Sequence, residues 1–308
     1  MPFHGVHAPV YTPAGVAAFA RDQGSTKEVW SAREGFPGDF DYREFYRDIG
    51  HDLDFDYIRP YLAGDVRCDT GIKYYRITGP TPHKQLYNPD IARDKAALHA
   101  GMFIDKRVAH AEYLHSVMET PPIIVAPFDA ELFGHWWFEG PQWLDFVIRK
   151  AAFDQDTLEL ITLSRYLDRH PVHQVGDPGT STWGHAGYFD TWLNRGNDWV
   201  YNHLIECGQR MEDLATHHSK DKVSANTRRA LNQCARELLL AQSSDWPFLI
   251  TNGTSAEYAA RRVRDHVSRF HYLADAIEQN DIDEEYLSTL EHVDKIFPNA
   301  DYRHYCKE

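Results

Sequence analysis

Residues 128–137 concentrate the side chains best suited to chemistry. Two carboxylates, Asp129 and Glu131, lie two positions apart directly after the apolar run at residues 123–126. If the backbone stays extended there, both side chains point to the same side, and repulsion between them favours keeping one of them protonated. A carboxylic acid that holds its proton near neutral pH can act as a general acid. The spacing therefore indicates an acid/base site.

The same residues also permit a purely structural interpretation. Asp129 can cap a helix that begins near Ala130, because aspartate is a preferred N-cap residue. Trp136 and Trp137 would then belong to the core. The residue pattern alone leaves both interpretations open.

Two polar clusters farther along the chain each allow a binding or a structural role. Trp183 lies in residues 180–185 beside a glycine, and Trp192 follows nine positions later. An exposed indole can serve as a platform for a sugar ring, although a Trp at helical spacing is more often core. Asp245 lies in residues 242–247, which either bind hydroxyl groups or end an apolar helix before a proline.

Patterns for metals and cofactors are missing from the sequence. The 18 histidines form no H-E-x-x-H, and the acidic run that begins at Asp52 has Tyr57 where a calcium loop requires glycine. There is no C-x-x-C pair, G-x-S-x-G, Walker A loop or G-x-G-x-x-G. We therefore predict no metal and no cofactor.

Charge and composition narrow the class of ligand. A formal net charge of -14 repels nucleic acid and anionic lipid, whereas aromatic residues, 13% of the chain, suit neutral sugar rings. No apolar run is long enough for a membrane helix, and the start of the chain does not resemble a signal peptide. The sequence predicts a soluble cytoplasmic protein that binds neither nucleic acid nor membrane.

The predicted secondary structure that positions these residues changes along the chain, from alternating strands and helices to helices alone. Short apolar runs at residues 72–77, 123–126 and 158–163 predict strands, and residues 90–118 between them predict a helix. This alternation indicates an α/β fold up to about residue 176. Beyond the turn-forming residues 177–181 the apolar residues recur with helical period, so residues 177–308 are predicted to be a helical domain. Thr254 to Glu257 has the form of a capping box.

Residues 128–137, FDAELFGHWW, closely resemble the fourth conserved region of glycoside hydrolase family 57, in its branching-enzyme subgroup. Residues 19–22, 29–32, 35–39 and 42–48 resemble the segment after that family's third region, and residues 183–194 and 238–246 resemble its fifth region and helical domain. The resemblance extends over nearly the whole chain. It implies that residues 1–176 are the C-terminal portion of an incomplete (β/α)7-like catalytic barrel, followed by the helical domain.

The resemblance also implies a retaining mechanism on α-1,4-glucan with transfer to a 6-hydroxyl. Asp129 matches the family's acid/base. The positions matching substrate-binding residues are Arg21, Gly38, Trp183 and Asp245, with Trp30 and Trp192 as further aromatic walls. A retaining pair needs its two carboxyl groups about 5 to 5.5 Å apart. The implied partners are α-glucans such as amylose, glycogen and maltooligosaccharides.

The chain departs from the family's pattern at its start. The regions that include the nucleophilic glutamate lie upstream of anything that matches this sequence, and none of Glu28, Glu34 or Glu44 sits in the nucleophile motif. We therefore expect no unaided catalysis, and interpret the chain as a fragment, a subunit that works with a separate N-terminal half, or a relic. A noncatalytic glucan-binding or regulatory protein, an amylase and a 4-α-glucanotransferase are the alternatives.

Overall fold

The computed structural model describes residues 2–219 and 223–307, which form two compact units, one up to Pro178 and one from Gly179 onward. The helices of the first unit are α1 (Gln23–Trp30), α2 (Ile49–Asp52), α3 (Phe55–Ile58), α4 (Pro89–Val117), α5 (Gly140–Phe153) and α6 (Leu163–Arg169). Those of the second are α7 (Trp199–His217), α8 (Ala225–Ala241), α9 (Asp245–Asn252), α10 (Ala256–Glu278) and α11 (Glu284–Val293). The assignment of residues 1–176 and 177–308 to a barrel portion and a C-terminal domain stays a prediction.

The first unit is built around the long helix α4, which packs against α5. Asn88 starts α4, because its side chain accepts hydrogen bonds from the amides of Asp90 and Ile91 while Pro89 occupies the first turn. The predicted helix at residues 90–118 is thereby confirmed. The core between the helices is lined by Val29, Phe36, Tyr42, Ala92, Ala96, Ala100, Phe103, Ile104, Leu132, Trp137, Trp143, Val147 and Ala151.

The sequence predicted strands at residues 72–77, 123–126 and 158–163, and none of them is a regular strand. Ile123 donates its amide to the His7 carbonyl at 2.9 Å, and the Val125 carbonyl accepts from the Asp22 amide at 2.8 Å, but these bonds reach two different segments. Residues 72–77 bond to residues 42–49 on one side and 85–87 on the other, but only through isolated bridges. A strand needs consecutive bonds to one neighbour, and an apolar β-branched run does not supply that neighbour.

The sheet of the described residues is correspondingly small. Strands β1 (Val10–Tyr11) and β2 (Ala17–Ala18) form one antiparallel pair. The parallel sheet expected of an α/β fold is therefore not found in residues 2–219 or 223–307, and the barrel portion stays a prediction.

The second unit is helical, as predicted. Helix α10 packs along α8, and α7 and α11 complete a core in which Val200, Cys207, Met211 and Leu214 lie buried at the predicted spacing. The predicted capping box is wrong, because α10 begins one residue later and the Ser255 side chain makes no cap hydrogen bond. None of the helices in the described ranges has the length and apolarity needed to cross a membrane.

Candidate active site

The Asp129 carboxylate is held by a residue distant in sequence. Asp129 itself is extended, with φ -66° and ψ 135°, and the chain then turns into a short 3-10 helix, Ala130–Leu132. Its side chain makes no cap hydrogen bond; instead, Oδ2 accepts from the indole Nε1 of Trp30 at 3.0 Å. The predicted alternation of Asp129 and Glu131 on an extended backbone is therefore wrong. The structural alternative is right about the helix start and wrong about the cap.

Helix α1 brings Trp30 to Asp129. The Asp22 side chain caps α1 by accepting from the amide of Ser25, and Trp30 is the last residue of this helix. The backbone bond from Asp22 to Val125 fixes the beginning of α1 beside the segment that leads to Asp129. The Trp30 side chain remains 56% exposed, so its ring is available to a ligand.

Gly38 has a backbone role that its residue type explains. It ends the 3-10 helix Phe36–Gly38, and a Cβ atom placed on it would lie 1.9 Å from the carbonyl oxygen of Ala32. Only glycine allows this close approach of two backbone segments.

Gly38 also lines a cavity of about 610 Å³ with charged walls. Lys95 Nζ lies 3.1 Å from Asp41 Oδ2, and this contact together with Asp39 raises the pKa of the lysine. Burial lowers the pKa of His99, against the effect of Asp39, and so favours the neutral imidazole. The cavity thus combines ionic groups with a neutral ring, which suits the hydroxyl groups of a sugar.

The adjacent tryptophans Trp136 and Trp137 have opposite environments. Trp137 is 2% exposed and packs in the core, whereas Trp136 is 55% exposed and stacks on Phe45 with 4.5 Å between ring centroids. The sequence interpretation treated both as one unit and missed the exposed ring. The adjacency itself was the available signal, because neighbouring side chains cannot both face one core.

Glu139 is a second carboxylate that the sequence interpretation did not single out. It is fully buried at the start of α5, where its Oε1 accepts from the amide of Arg43 at 3.1 Å. Burial raises the pKa of Glu139, against the effects of Tyr87 and Arg43. Glu139 favours the protonated form more than an exposed glutamate does.

In the second unit Gly184 follows Trp183 in sequence and packs against Trp192, the other predicted aromatic residue. A Cβ on Gly184 would lie 2.8 Å from Cζ3 of Trp192, so the glycine backbone packs directly on that ring. Trp192 is half-buried, whereas Trp183 is 51% exposed, more than a core tryptophan would be.

A buried asparagine ties the loop after Trp192 to helix α9. Asn197 is fully buried, and its Nδ2 donates to Thr251 Oγ1 at 3.0 Å and to the Pro247 carbonyl at 3.3 Å. Asp245 is exposed in the first turn of α9. It therefore begins a helix, and α8 has already ended at Ala241, before this polar run.

The chain resembles known proteins along nearly its whole length. Residues 203–305 match the family model described as 1,4-alpha-glucan branching enzyme, C-terminal. The 1,4-alpha-glucan branching enzyme TK1436 of Thermococcus kodakarensis is 35% identical over 292 residues, 92% of this chain and 40% of that relative. A probable 1,4-alpha-glucan branching enzyme of Mycobacterium tuberculosis, MT3115, is 31% identical over 281 residues, 85% of this chain and 47% of the relative.

Solved structures of similar proteins also match this chain along its length. The alpha-amylase AmyC from Thermotoga maritima superposes with a TM-score of 0.82 at 43% identity, covering 100% of this chain and 58% of that one. The GH57-type branching enzyme from Pyrococcus horikoshii gives 0.80 at 34% identity, covering 99% and 54%. The chain belongs to glycoside hydrolase family 57. It matches the C-terminal part of the family's branching enzymes and spans about half the length of the relatives.

Within this family 57 chain the predicted site residues form two groups. Trp30 and Asp129, 99 positions apart, are in direct contact in the first unit, and exposed Arg21 immediately precedes the cap of α1. In the second unit, Trp192 and Asp245 lie on segments joined through Asn197. Substrate binding by any of them stays a prediction.

Proposed function

We propose that this chain acts on α-glucan as the C-terminal part of a retaining family 57 enzyme, with 1,4-α-glucan branching as its reaction and Asp129 as its acid/base. The hydrogen bond from the exposed Trp30 indole to Asp129 carries the proposal. It sets a proton-transfer group beside an aromatic surface of the kind that sugar rings contact. Neither a helix cap nor a core tryptophan requires that arrangement.

In the proposed reaction Asp129 gives its proton to the oxygen of the α-1,4 link that is broken. A glutamate in the family's N-terminal half takes the glucan chain as a covalent intermediate. Asp129 then removes the proton from an incoming 6-hydroxyl, and an α-1,6 link forms. The Trp30 N–H keeps the carboxylate oriented, and the aromatic walls reduce the access of water, which competes with the acceptor.

The other site residues are proposed to bind the glucan. Arg21 and Asp245 supply charged hydrogen-bonding groups, and Trp183 and Trp192 supply ring faces. Gly38 contributes by letting two backbone segments approach closely at the wall of a cavity.

We further propose that residues 1–176 complete a (β/α)7-like barrel with a separate N-terminal half. High TM-scores against solved family 57 enzymes support this, together with the share of those chains, 58% or less, that this chain covers. In such a barrel the segment at residues 123–126 would gain neighbours with which to form a ladder.

An amylase is the second candidate. It is favoured by the similarity to AmyC, an alpha-amylase, at 43% identity over the whole chain. The two candidates differ in the acceptor, since an amylase transfers the glucan to water and a branching enzyme transfers it to a 6-hydroxyl.

The deciding experiment incubates amylose and amylopectin with the chain, with and without an N-terminal half supplied from a branching-enzyme relative. New α-1,6 links are read by debranching and chain-length analysis, and hydrolysis is read as reducing ends. Branches formed only in the reconstituted sample support the proposal. Reducing ends without branches support the amylase, and neither product, with maltooligosaccharide binding retained, identifies a noncatalytic glucan-binding protein.

A further inference from the structure

Three ligand-type side chains from distant parts of the sequence converge in the first unit. His7 precedes β1, Asp22 caps α1, and His110 lies on α4. One potential donor atom of each lies within 4.8 Å of the other two. The three residues are separated by 15 and 88 positions, which matches no metal motif, so the residue pattern did not indicate the cluster.

Asp22 is set up as an anchored carboxylate. It is 6% exposed, and its Oδ1 accepts from the amide of Ser25 at 2.7 Å and from the Ser25 hydroxyl at 2.6 Å. Hydrogen bonds of this kind orient metal-ligating carboxylates and are the usual surroundings of a metal site.

The two imidazoles lie close enough together to bind one ion. The rings of His7 and His110 meet edge to face, with 4.8 Å between centroids and 89° between planes. His7 Nδ1 is buried and has no hydrogen-bond partner among the described residues, a state that is costly for a polar atom. An imidazole nitrogen in this state is available to a metal ion.

A second cluster of possible metal ligands differs, because its donor atoms are already bound to other side chains. In Glu237, His266 and Asp294 the donor atoms are equally close, but His266 Nδ1 lies 2.6 Å from Glu237 and its Nε2 lies 2.9 Å from Arg262. Asp294 Oδ2 is 2.5 Å from Arg269. A cation there would have to displace two guanidinium groups, so this cluster is an ion-pair network.

The charged neighbours of the first cluster include the guanidinium of Arg107. Arg107 acts on Asp22 through its charge, but its NH1 lies 3.5 Å from the carboxylate of Glu28. Two imidazole nitrogens and one carboxylate oxygen form a donor set that suits a divalent cation such as Zn²⁺.

We propose that His7, Asp22 and His110 bind one divalent transition-metal ion of the zinc type. Three atoms no more than 4.8 Å apart lie within about 2.8 Å of a common centre, and Zn²⁺ bonds to nitrogen and carboxylate oxygen are about 2.0 to 2.2 Å. Each donor therefore closes by less than about 1 Å, which side-chain rotation supplies. Water takes the fourth position.

The ion would fasten the segment before β1 to the beginning of α1 and to α4. Because α1 ends at Trp30, the site holds the near end of the helix whose far end contacts Asp129. This is a positioning and stabilising role and does not depend on the proposed reaction.

The test is isothermal titration of the chelator-treated 308-residue chain with Zn²⁺, with Co²⁺ absorption as a report on nitrogen and oxygen coordination. We expect one ion per chain. His7→Ala and His110→Ala should each weaken binding by at least about 100-fold, and Ser25→Ala, which removes only a hydrogen bond to the carboxylate, by about 10-fold to 100-fold. His115→Ala, an exposed histidine on the same helix α4, is the matched control and should bind as the unmodified chain does.

Metal should also raise the melting temperature of the chain and of His115→Ala, but not of His110→Ala. Circular dichroism of each variant separates loss of a ligand from loss of folding. If His7→Ala fails to fold, the titration and Co²⁺ spectrum of the unmodified chain and of His110→Ala still decide. No saturable binding by the unmodified chain, or equal affinity in His110→Ala and His115→Ala, would overturn the proposal.

Discussion

At the scale of single residues, the contact between Trp30 and Asp129 distinguishes two possible roles of the aspartate, a helix cap and an acid/base. A helix cap would use the carboxylate to bind backbone amides of its own segment, whereas this carboxylate binds an indole on another helix. The side chain is thus oriented from outside its own loop. The chemistry of Asp129 therefore depends on Trp30, and both residues can be tested together.

In the reconstituted enzyme, Asp129→Asn should abolish turnover and leave glucan binding largely intact, because the amide keeps the shape and loses the transferable proton. Trp30→Phe is the matched partner: it keeps a ring and removes only the N–H donor. We expect it to lower kcat more than it raises KM, since the carboxylate loses its orientation while the ring surface remains. Near-normal turnover in Asp129→Asn would identify a different acid.

Trp183 is expected to serve binding and not folding. Because its side chain is half exposed, Trp183→Ala should weaken maltooligosaccharide affinity and change the free energy of unfolding little. Trp143→Ala, at a fully buried tryptophan, is the contrast and should cost about 3 to 5 kcal/mol of unfolding free energy. Calorimetric titration and urea unfolding measure the two effects. A large loss of stability with unchanged affinity in Trp183→Ala would make it a core residue.

Residue types could be predicted from the sequence more readily than their surroundings. The family resemblance singled out Asp129 and Trp30, but it did not show that they touch, because 99 positions separate them. It likewise gave no reason to separate exposed Trp136 from buried Trp137. Such facts depend on which helices face each other in the folded chain, and local residue patterns do not report that.

At the scale of elements, the close approach of Gly38 to Ala32 fixes a turn that lines the cavity. Gly38→Ala should lower the free energy of unfolding by about 1 to 3 kcal/mol or more, because the added Cβ meets a backbone carbonyl that cannot rotate away. Gly208→Ala in α7, where nothing lies within 4 Å, should instead stabilise by about 0.5 to 1 kcal/mol. Chemical denaturation compares them. Equal changes in unfolding free energy for Gly38→Ala and Gly208→Ala would show that the turn at Gly38 shifts to make room for the added Cβ.

Asp48 holds a second turn through its charge. Burial alone would raise the pKa of Asp48, but hydrogen bonds from Thr70, Gly50 and Gly71 outweigh it and lower the pKa to about 2. A carboxyl with a depressed pKa stabilises the fold above its unfolded value and loses that contribution as pH falls through the folded value. We expect about 2 kcal/mol of stability to be lost between roughly pH 4 and pH 2.

The control is Asp48→Asn, which keeps an acceptor for the amides and removes the charge. Urea unfolding at a series of acid pH values should show a shallower decline for this variant than for the unmodified chain. Parallel curves would mean that other carboxylates account for the acid sensitivity.

Helices were predicted from the sequence better than strands, and the reason is physical. The hydrogen bonds of a helix are internal to it, so the apolar period of α10 is enough to indicate that helix from its own residues. The segment at residues 123–126 needs a neighbouring strand before it can form a ladder. The sequence of this segment indicates that it is apolar, but not which strand would lie beside it.

At the scale of the whole molecule, helix α4 is apolar on two opposite sides. Ala92, Ala96 and Ala100 face the core, whereas Ile91 and Leu98, on the other side, are more than half exposed. On α5, Leu144 and Ile148 form a similar exposed pair at i, i+4. Exposed apolar faces of this kind mark surfaces where another part of a protein packs.

We expect the occupant of these faces to be the N-terminal half that the relatives possess. The chain alone should therefore associate into oligomers or aggregates, and the complementary half should restore a monodisperse complex together with branching activity. Size-exclusion chromatography with light scattering measures the first effect and debranching analysis the second.

Leu98→Glu on the exposed side of α4 separates packing from chemistry, because it leaves Asp129 untouched. In the isolated chain this substitution should reduce self-association, since it places a charge on the apolar face. In the mixture it should weaken the complex for the same reason. His115→Ala, on the same helix, is the control and should change neither. A monomeric chain that forms α-1,6 links unaided would contradict the prediction and place a nucleophile within these 308 residues.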